Sequence, residues 1–399
     1  MVYFRGFVFI LFLAVGIRPT AASDTATFLV FPPDNLTGNP ALSWVGEALA
    51  LSIGTQLGIP GVSAFSREDR LGFVEGADLP PNSALSLASM IHIAQQVSAN
   101  RLVMGSVRGT AEKLRVTLRV VGVKALKPAG EAAVEGPLVA LPEMENELAW
   151  MVLEDSGLTR TGSREKFRER RRTIPNSAYE DFIRSLTQSD PEERVKLLNQ
   201  AVESSPVFPE AHAKLGQHYF EKGDCVRCIP HLERAGALEE NRLENQFRLG
   251  TCYLKQGSLP EAVRAFSIVL AVVQSPQVLN NLGVAYLRKG EYALAAESLI
   301  EARRMSQTEP TILTNLAIVR HLQGDDAGAR SLLEHAVKMV RNRAMTQFVL
   351  GIILALQGEQ EQSVLALAEA RRLGADPEKL STEDPKNWAR PFTTWSGPP

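Results

Sequence analysis

Cys225 and Cys228 form a Cys-x2-Cys pair, with Cys252 a short way downstream. Thiols at that spacing are half of a metal site or a dithiol–disulfide centre. A metal site needs further ligands, and only Cys252, His218 and His231 are near in sequence. The βαβ setting of a thioredoxin-like redox motif is also missing. Cys228 falls on a small-residue packing place, described below, so the pair reads as structural. In an oxidising compartment either Cys225–Cys228 or Cys228–Cys252 can pair.

The other chemistry-bearing residues are less organised. His92, His212, His218, His231, His321 and His335 have no nucleophile elbow beside them, and no His-Glu-x-x-His motif occurs. The acidic pairs Glu239-Glu240 and Asp325-Asp326 stand at helix ends or turns, where capping and solvation are their ordinary roles. Gly105-x3-Gly109 lacks the Lys-Ser/Thr of a phosphate loop. No catalytic residue, cofactor site or metal site is assigned, and the chain reads as a non-enzyme.

The elements that would position these residues are repeated. Gly216, Gly250, Gly283, Ala317 and Gly351 recur at spacings of 34, 33, 34 and 34. Cys228, Ala262, Ala295, Ala329 and Ser363 recur with them, each followed four residues later by Leu232, Phe266, Leu299, Leu333 or Leu367. Gly223, Gly257, Gly290, Gly324 and Gly358 punctuate the units. Such self-similarity means one two-helix unit copied in series, with small residues where the helices cross. A degenerate unit precedes them, with Ala178, Tyr179 and Phe182 on its first helix and Leu197, Leu198 and Ala201 on its second.

In Asn281-Leu282-Gly283-Val284-Ala285-Tyr286, then Gly290, Ala295, Leu299 and Ala302, the residue order resembles the tetratricopeptide repeat. That resemblance implies an array of about six units over 176–376, curved so that one side of each first helix lines a groove for a peptide or partner helix. Carried over from the pattern, the groove positions are Gln217, Phe220, Arg248, Thr251, Asn280, Asn281, Val284, Arg288, Asn315, Ile318 and His321. Ala213 and Phe247 stand where a carboxylate-clamping variant of the family has Lys, so the resemblance does not extend to capture of a terminal carboxylate.

The first half patterns differently. Thr27 to Phe31 is an apolar run ended by Pro32-Pro33, as expected of a central strand. A helix from Asn39-Pro40 to about Leu57, a strand over 61–65, a loop over 66–82, a helix over 84–97 and a strand over 102–107 follow. Lys113 to Val123 alternates apolar and polar residues, an antiparallel strand with one wet face. A weaker strand over 132–139 and a helix over 141–158 complete a β-α-β-α-β-β-β-α order. The fold class is therefore a mixed-sheet α/β domain, residues 24–160, followed by an all-α solenoid. Phe31-Pro32-Pro33-Asp34-Asn35-Leu36-Thr37, Trp44 to Leu49 and Leu102 to Arg108 resemble the N-terminal domain of the TolB family, related to domains of curli-secretion and flagellar outer-membrane accessory proteins. That resemblance implies an envelope location and protein contacts without catalysis.

Residues 1–23 read as a secretory signal: Arg5, an apolar run from Phe7 to Ile17, then Thr20-Ala21-Ala22-Ser23. Export, and a periplasmic home, follow as expectations. Residues 161–175 are a basic stretch that reads as a solvated helical extension. In the Pro-rich tail, 377–399, Trp388, Phe392 and Trp395 offer a fold-back on the last helix, the alternative being a disordered tail. The formal net charge of −2 lacks the basic excess of a nucleic-acid binder.

These readings converge on an exported scaffold that contacts a protein or peptide partner through the groove. The alternative is an envelope-assembly factor that forms homo-oligomers through its α/β domain, with the repeats as spacer. A weaker alternative is a Cys-dependent redox or metal protein.

Overall fold

The structure is a computed structural model that describes residues 26–80, 85–158, 163–236, 242–340 and 343–394. The signal reading on 1–23, Arg160, Glu239-Glu240 and Trp395 lie outside the described residues. The chain divides into two compact units, Met1–Arg184 and Ser185–Pro399.

In the first unit a mixed sheet carries helices on both faces. In chain order its elements are β1 Ala26–Val30, β2 Asp34–Asn35, α1 Trp44–Leu57, β3 Val62–Ala64, α2 Arg67–Gly76, α3 Leu87–Gln96, β4 Arg101–Thr110, β5 Lys113–Gly122, β6 Lys127–Gly136, α4 Leu141–Asp155 and α5 Arg164–Arg168. The strand order is β3-β1-β4-β5-β6, with β2 beside β4. β1 pairs in parallel with β3 and β4, while β4, β5 and β6 are antiparallel. β1 is thus central, as its unbroken apolar run requires. Leu29 and Phe31, with Leu102 of β4, form a core with Val74 of α2 and Ile93 of α3. α1 and α4 pack on each other, with α1 against β1 and α4 against β5 and β6.

Two expectations are corrected here. Residues 67–76 are a helix, not a loop. Its start is a capping box: the Ser66 hydroxyl accepts from the Asp69 amide, and an Asp69 carboxylate oxygen accepts from the Ser66 amide. It reads as a loop because its buried side chains are only Arg70 and Val74. Arg70 donates to the Val30 carbonyl at 3.0 Å and pairs with Glu47, which also takes Arg67 at 2.8 Å.

The basic stretch, helical over 164–168 and mostly exposed as expected, is not a free extension either. α4 presents Glu143, Glu145 and Glu147, which pair with Arg171, Arg172 and Arg164. Phe167 is buried against Trp150, with ring centroids 5.4 Å apart. Opposite charge and one aromatic anchor fasten this stretch to α4. Glu145 is fully buried and also accepts from the Ser52 hydroxyl at 2.9 Å. Burial pushes its carboxyl up to about 7, against the opposing pull of Arg172.

α6, Asn176–Thr187, runs across the division between the units. The second unit is a stack of helix pairs: α7 Pro191–Ser204, α8 Pro209–Glu221 with α9 Cys225–Ala235, α10 Arg242–Gln256 with α11 Leu259–Leu270, α12 Pro276–Lys289 with α13 Tyr292–Met305, α14 Pro310–Leu322 with α15 Asp326–Met339, and α16 Ala344–Leu356 with α17 Gln360–Arg372. α18, Pro377–Ser381, and a 3-10 turn, Pro385–Asn387, follow.

The crossing residue explains the spacing. A Cβ on Gly283 would lie 2.7 Å from Leu299 Cγ, so α12 and α13 pack only because that atom is absent. Gly290 ends α12 with φ of 82°, a conformation costly for other residues. Each first helix also touches the first helix of the next pair. The first helices therefore form one continuous side of the stack.

Candidate peptide-binding groove

Asn281 stands two residues before the crossing Gly283, and Asn315 two residues before the crossing Ala317. The repeat places them at the same point on successive first helices. The corresponding residues of α10 and α16 are Arg248 and Val349. Side-chain amides thus occupy this row on α12 and α14, and an amide carries the same neighbouring donor and acceptor as a peptide unit.

Those amides hold the chain's own tail. Asn281 Nδ2 donates to the Phe392 carbonyl at 2.8 Å, and the Phe392 amide donates to Asn281 Oδ1 at 2.6 Å. Asn315 Nδ2 donates to the Arg390 carbonyl at 2.8 Å, and the Arg390 amide donates to Asn315 Oδ1 at 2.9 Å. Residues two apart in an extended chain face the same way, so the two rungs bind alternate residues. Asn280 ties the rungs together. It accepts from Asn315 Nδ2 at 2.8 Å and donates to the Arg390 carbonyl at 3.3 Å. All three asparagines are buried.

One step before the first rung, an aromatic anchor takes over. Trp388 is buried, 6.4 Å from His321 with the rings parallel to within 5°, and edge-on to Phe348 at 5.0 Å. Its indole N–H donates to the Leu380 carbonyl at 2.9 Å. Ala389, next to it, is fully enclosed. The tail therefore runs from α16 over α14 to α12, against the order of the repeats. Trp388 and Phe392 thus fold back on the repeats, and the path extends beyond the last pair because the first helices supply the amides and the aromatic slot.

Arg288 borders the same path. Its guanidinium donates to the Leu254 carbonyl at 3.0 Å and to the Ala389 carbonyl at 3.4 Å. Its Nε is buried without a partner. Burial, and then the nearby Arg390 guanidinium, lower its pKa below the ordinary arginine value.

The candidate positions thus separate into groups. Asn280, Asn281, Arg288, Asn315 and His321 gather around residues 388–392. Val284 and Ile318 are fully buried in the apolar core. Gln217 bonds Glu221 at 2.9 Å, and Phe220 is half-buried on the same helix. Arg248 pairs with Glu244 at 2.7 Å and Asn245 at 3.1 Å, and the Thr251 hydroxyl donates to the Phe247 carbonyl at 2.9 Å. Phe348, and the surface that receives the tail, are not legible in the sequence. The aromatic residues of a Pro-rich tail were the available signal, but their receiving surface is not local in sequence.

The cysteines pair differently from either expectation. Cys225 bonds Cys252, with Cα atoms 5.1 Å apart, and joins α9 to α10. Cys228 is free and buried, and burial pushes its thiol up to about 12. The reason is helical direction: Cys228 fills the small-residue place facing α8, whereas Cys225 in the first turn faces the next pair. Among the described residues no three metal-type side chains cluster. Nearby, His212 Nδ1 lies 2.9 Å from His231 Nδ1, and His231 stacks on Tyr219.

Residues 247–310 match the tetratricopeptide-repeat family model. The chain carries tetratricopeptide repeats. A curated relative, BBSome complex member BBS4 of Bos taurus, is 25% identical over 189 residues, or 47% of this chain and 36% of that protein. The match thus spans little more than a third of the relative's length. Among solved structures, MamA aligns with 42% of this chain and 98% of its own at 18% identity and a TM-score of 0.36. PilF of Pseudomonas aeruginosa aligns with 52% and 98% at 16% identity and 0.40. YrrB, described as a tetratricopeptide protein with an unusual peptide-binding site, aligns with 47% and 100% at 14% identity and 0.37. In this chain Asn281 of α12 lies within the matched residues, and Asn315 and Trp388 lie beyond them.

Proposed function

We propose that this protein is an exported, non-enzymatic scaffold of the cell envelope whose tetratricopeptide groove holds an extended segment of a partner protein. One observation carries the reading. Asn281 and Asn315 each make a paired donor–acceptor contact to the main chain of the tail, at 2.8 and 2.6 Å and at 2.8 and 2.9 Å. Contacts to main chain are independent of side-chain identity, so the same rungs accept any extended segment, with adjoining pockets adding selectivity. The apolar run after Arg5 supports export. The first unit, with its TolB-like motifs, then offers the contact to a second envelope component.

A photo-activated cross-linker placed at Gln277, at the start of α12, tests the reading in the cell of origin. A specific adduct should form and be lost when Asn281→Ala and Asn315→Ala are combined. An adduct that survives the double substitution would remove the groove from the account. Fractionation of the cell tests the envelope assignment separately.

A further inference from the structure

The tail is an imperfect occupant of the groove. Its main chain satisfies both asparagine rungs, and its tryptophan fills the slot between His321 and Phe348. Its charge is the wrong sign. The main chain of Arg390 fills one of the two rungs, while its exposed guanidinium donates to the Asn387 carbonyl at 3.4 Å; Arg288, close by, reaches the Ala389 carbonyl. Among the described residues Arg288 has no ion-paired carboxylate; its two hydrogen bonds go to main-chain carbonyls, and its Nε is buried without an acceptor. A half-buried cation whose enclosed Nε has no acceptor is suited to an anion at its exposed side. The tail brings another cation instead.

Resting on the peptide-holding reading above, we propose that the groove's partner is an extended segment with the tail's aromatic-small register and an acidic residue in the place of Arg390, and that the tail is the occupant it displaces. Trp388 defines an aromatic anchor and Ala389 a fully enclosed position that favours a small side chain. Arg288 defines the preference for Asp or Glu at the next position, and Phe392 an aromatic two residues further on. The tail keeps the asparagines and the aromatic slot covered until such a segment arrives. As a tethered ligand it acts at an effective concentration on the order of millimolar, which sets a threshold for any partner.

The test uses the full chain and labelled peptides read by fluorescence anisotropy. One peptide copies residues 384–394, a second has Glu in place of Arg390, and a third has Ala in place of Trp388. Each is titrated against the natural chain and against Trp388→Ala and Phe392→Ala, two independent ways of loosening the tail; circular dichroism checks that the helices persist. The Glu peptide is expected to bind about tenfold more tightly than the Arg peptide, with the advantage lost in Arg288→Gln and reduced by salt. Both tail variants should bind it more tightly than the natural chain, and the Trp-to-Ala peptide should bind least. Equal affinity for the Glu and Arg peptides would overturn the charge preference while leaving the peptide-holding reading intact. Binding of no peptide by any variant, with Asn281→Ala and Asn315→Ala leaving the tail in place, would overturn both. A dimer by light scattering that dissociates in Trp388→Ala would assign the groove to a second copy's tail and overturn the proposal.

Discussion

Asn281 and Phe392 are 111 residues apart in sequence, yet the Asn281 side chain closes a two-bond ring with the Phe392 main chain, accepting at 2.6 Å and donating at 2.8 Å. The same ring forms between Asn315 and Arg390. A side chain here does what a neighbouring strand would do in a sheet. This side of the first helices therefore holds extended backbone, and the backbone it holds belongs to the same chain.

Combining Asn281→Ala with Asn315→Ala removes both rungs, leaving three main-chain groups to water and the Arg390 carbonyl with Asn280 alone. Each lost contact costs about 1 kcal/mol. Hydrogen exchange of the Arg390 and Phe392 amides should accelerate at least about tenfold, while amides inside α12 and α14 keep their protection. Unchanged exchange at those two amides would mean the rungs do not hold the tail.

Gly283→Ala places a methyl group 2.7 Å from Leu299 Cγ and 3.3 Å from the Ala295 carbonyl oxygen. Overpacking at such a crossing costs about 1–3 kcal/mol. Urea unfolding should show that loss. In a Leu299→Ala background, the added penalty should shrink, because the clash is with that side chain.

The Cys225–Cys252 bond closes a loop of 27 residues. A loop of that length stabilises the native state by roughly 3 kcal/mol on the chain-entropy account. Combined Cys225→Ala and Cys252→Ala should lower the urea midpoint of the repeat unit accordingly. Cys228→Ala should leave the disulfide intact by mass spectrometry of the non-reduced protein.

Histidine titration gives the repeat unit a weakness in acid. Burial, then His212, bring the His231 pKa down to about 4 from an ordinary 6.5, and burial lowers that of His212 as well. A depressed pKa in the folded state means protons bind the unfolded chain first. The unit's stability is then fully present above about pH 6.5 and is lost as pH falls toward 4. Thermal melts across that window should show the decline, with a smaller slope in His231→Gln.

Glu145 gives the first unit the opposite slope. Its folded pKa of about 7 lies above the ordinary 4.5, with burial the main cause. Its contribution is fully present below about pH 4.5 and is lost as pH rises through 7. Glu145→Gln should flatten that dependence. Arg172→Met, which strands the buried carboxylate, should cost about 3–5 kcal/mol at neutral pH.

The sequence by itself determined the repeats, because crossing residues such as Gly283 and knobs such as Leu299 must recur wherever two helices approach closely. It also determined the parallel centre and antiparallel edge of the first unit, since unbroken apolar runs and period-two alternation answer to different burial. It placed Asn280, Asn281, Asn315 and His321 on one side of the first helices. Only the tertiary structure decided what they meet. The tail reaches α12 from about 110 residues away, and no local pattern encodes a contact made through main-chain groups. The cysteine pairing was decided likewise, by which face of α9 each thiol occupies. α2 and the Glu145–Arg172 pair were missed for a related reason: their buried groups are polar, and a charge becomes a core residue only when folding brings its counter-charge to it.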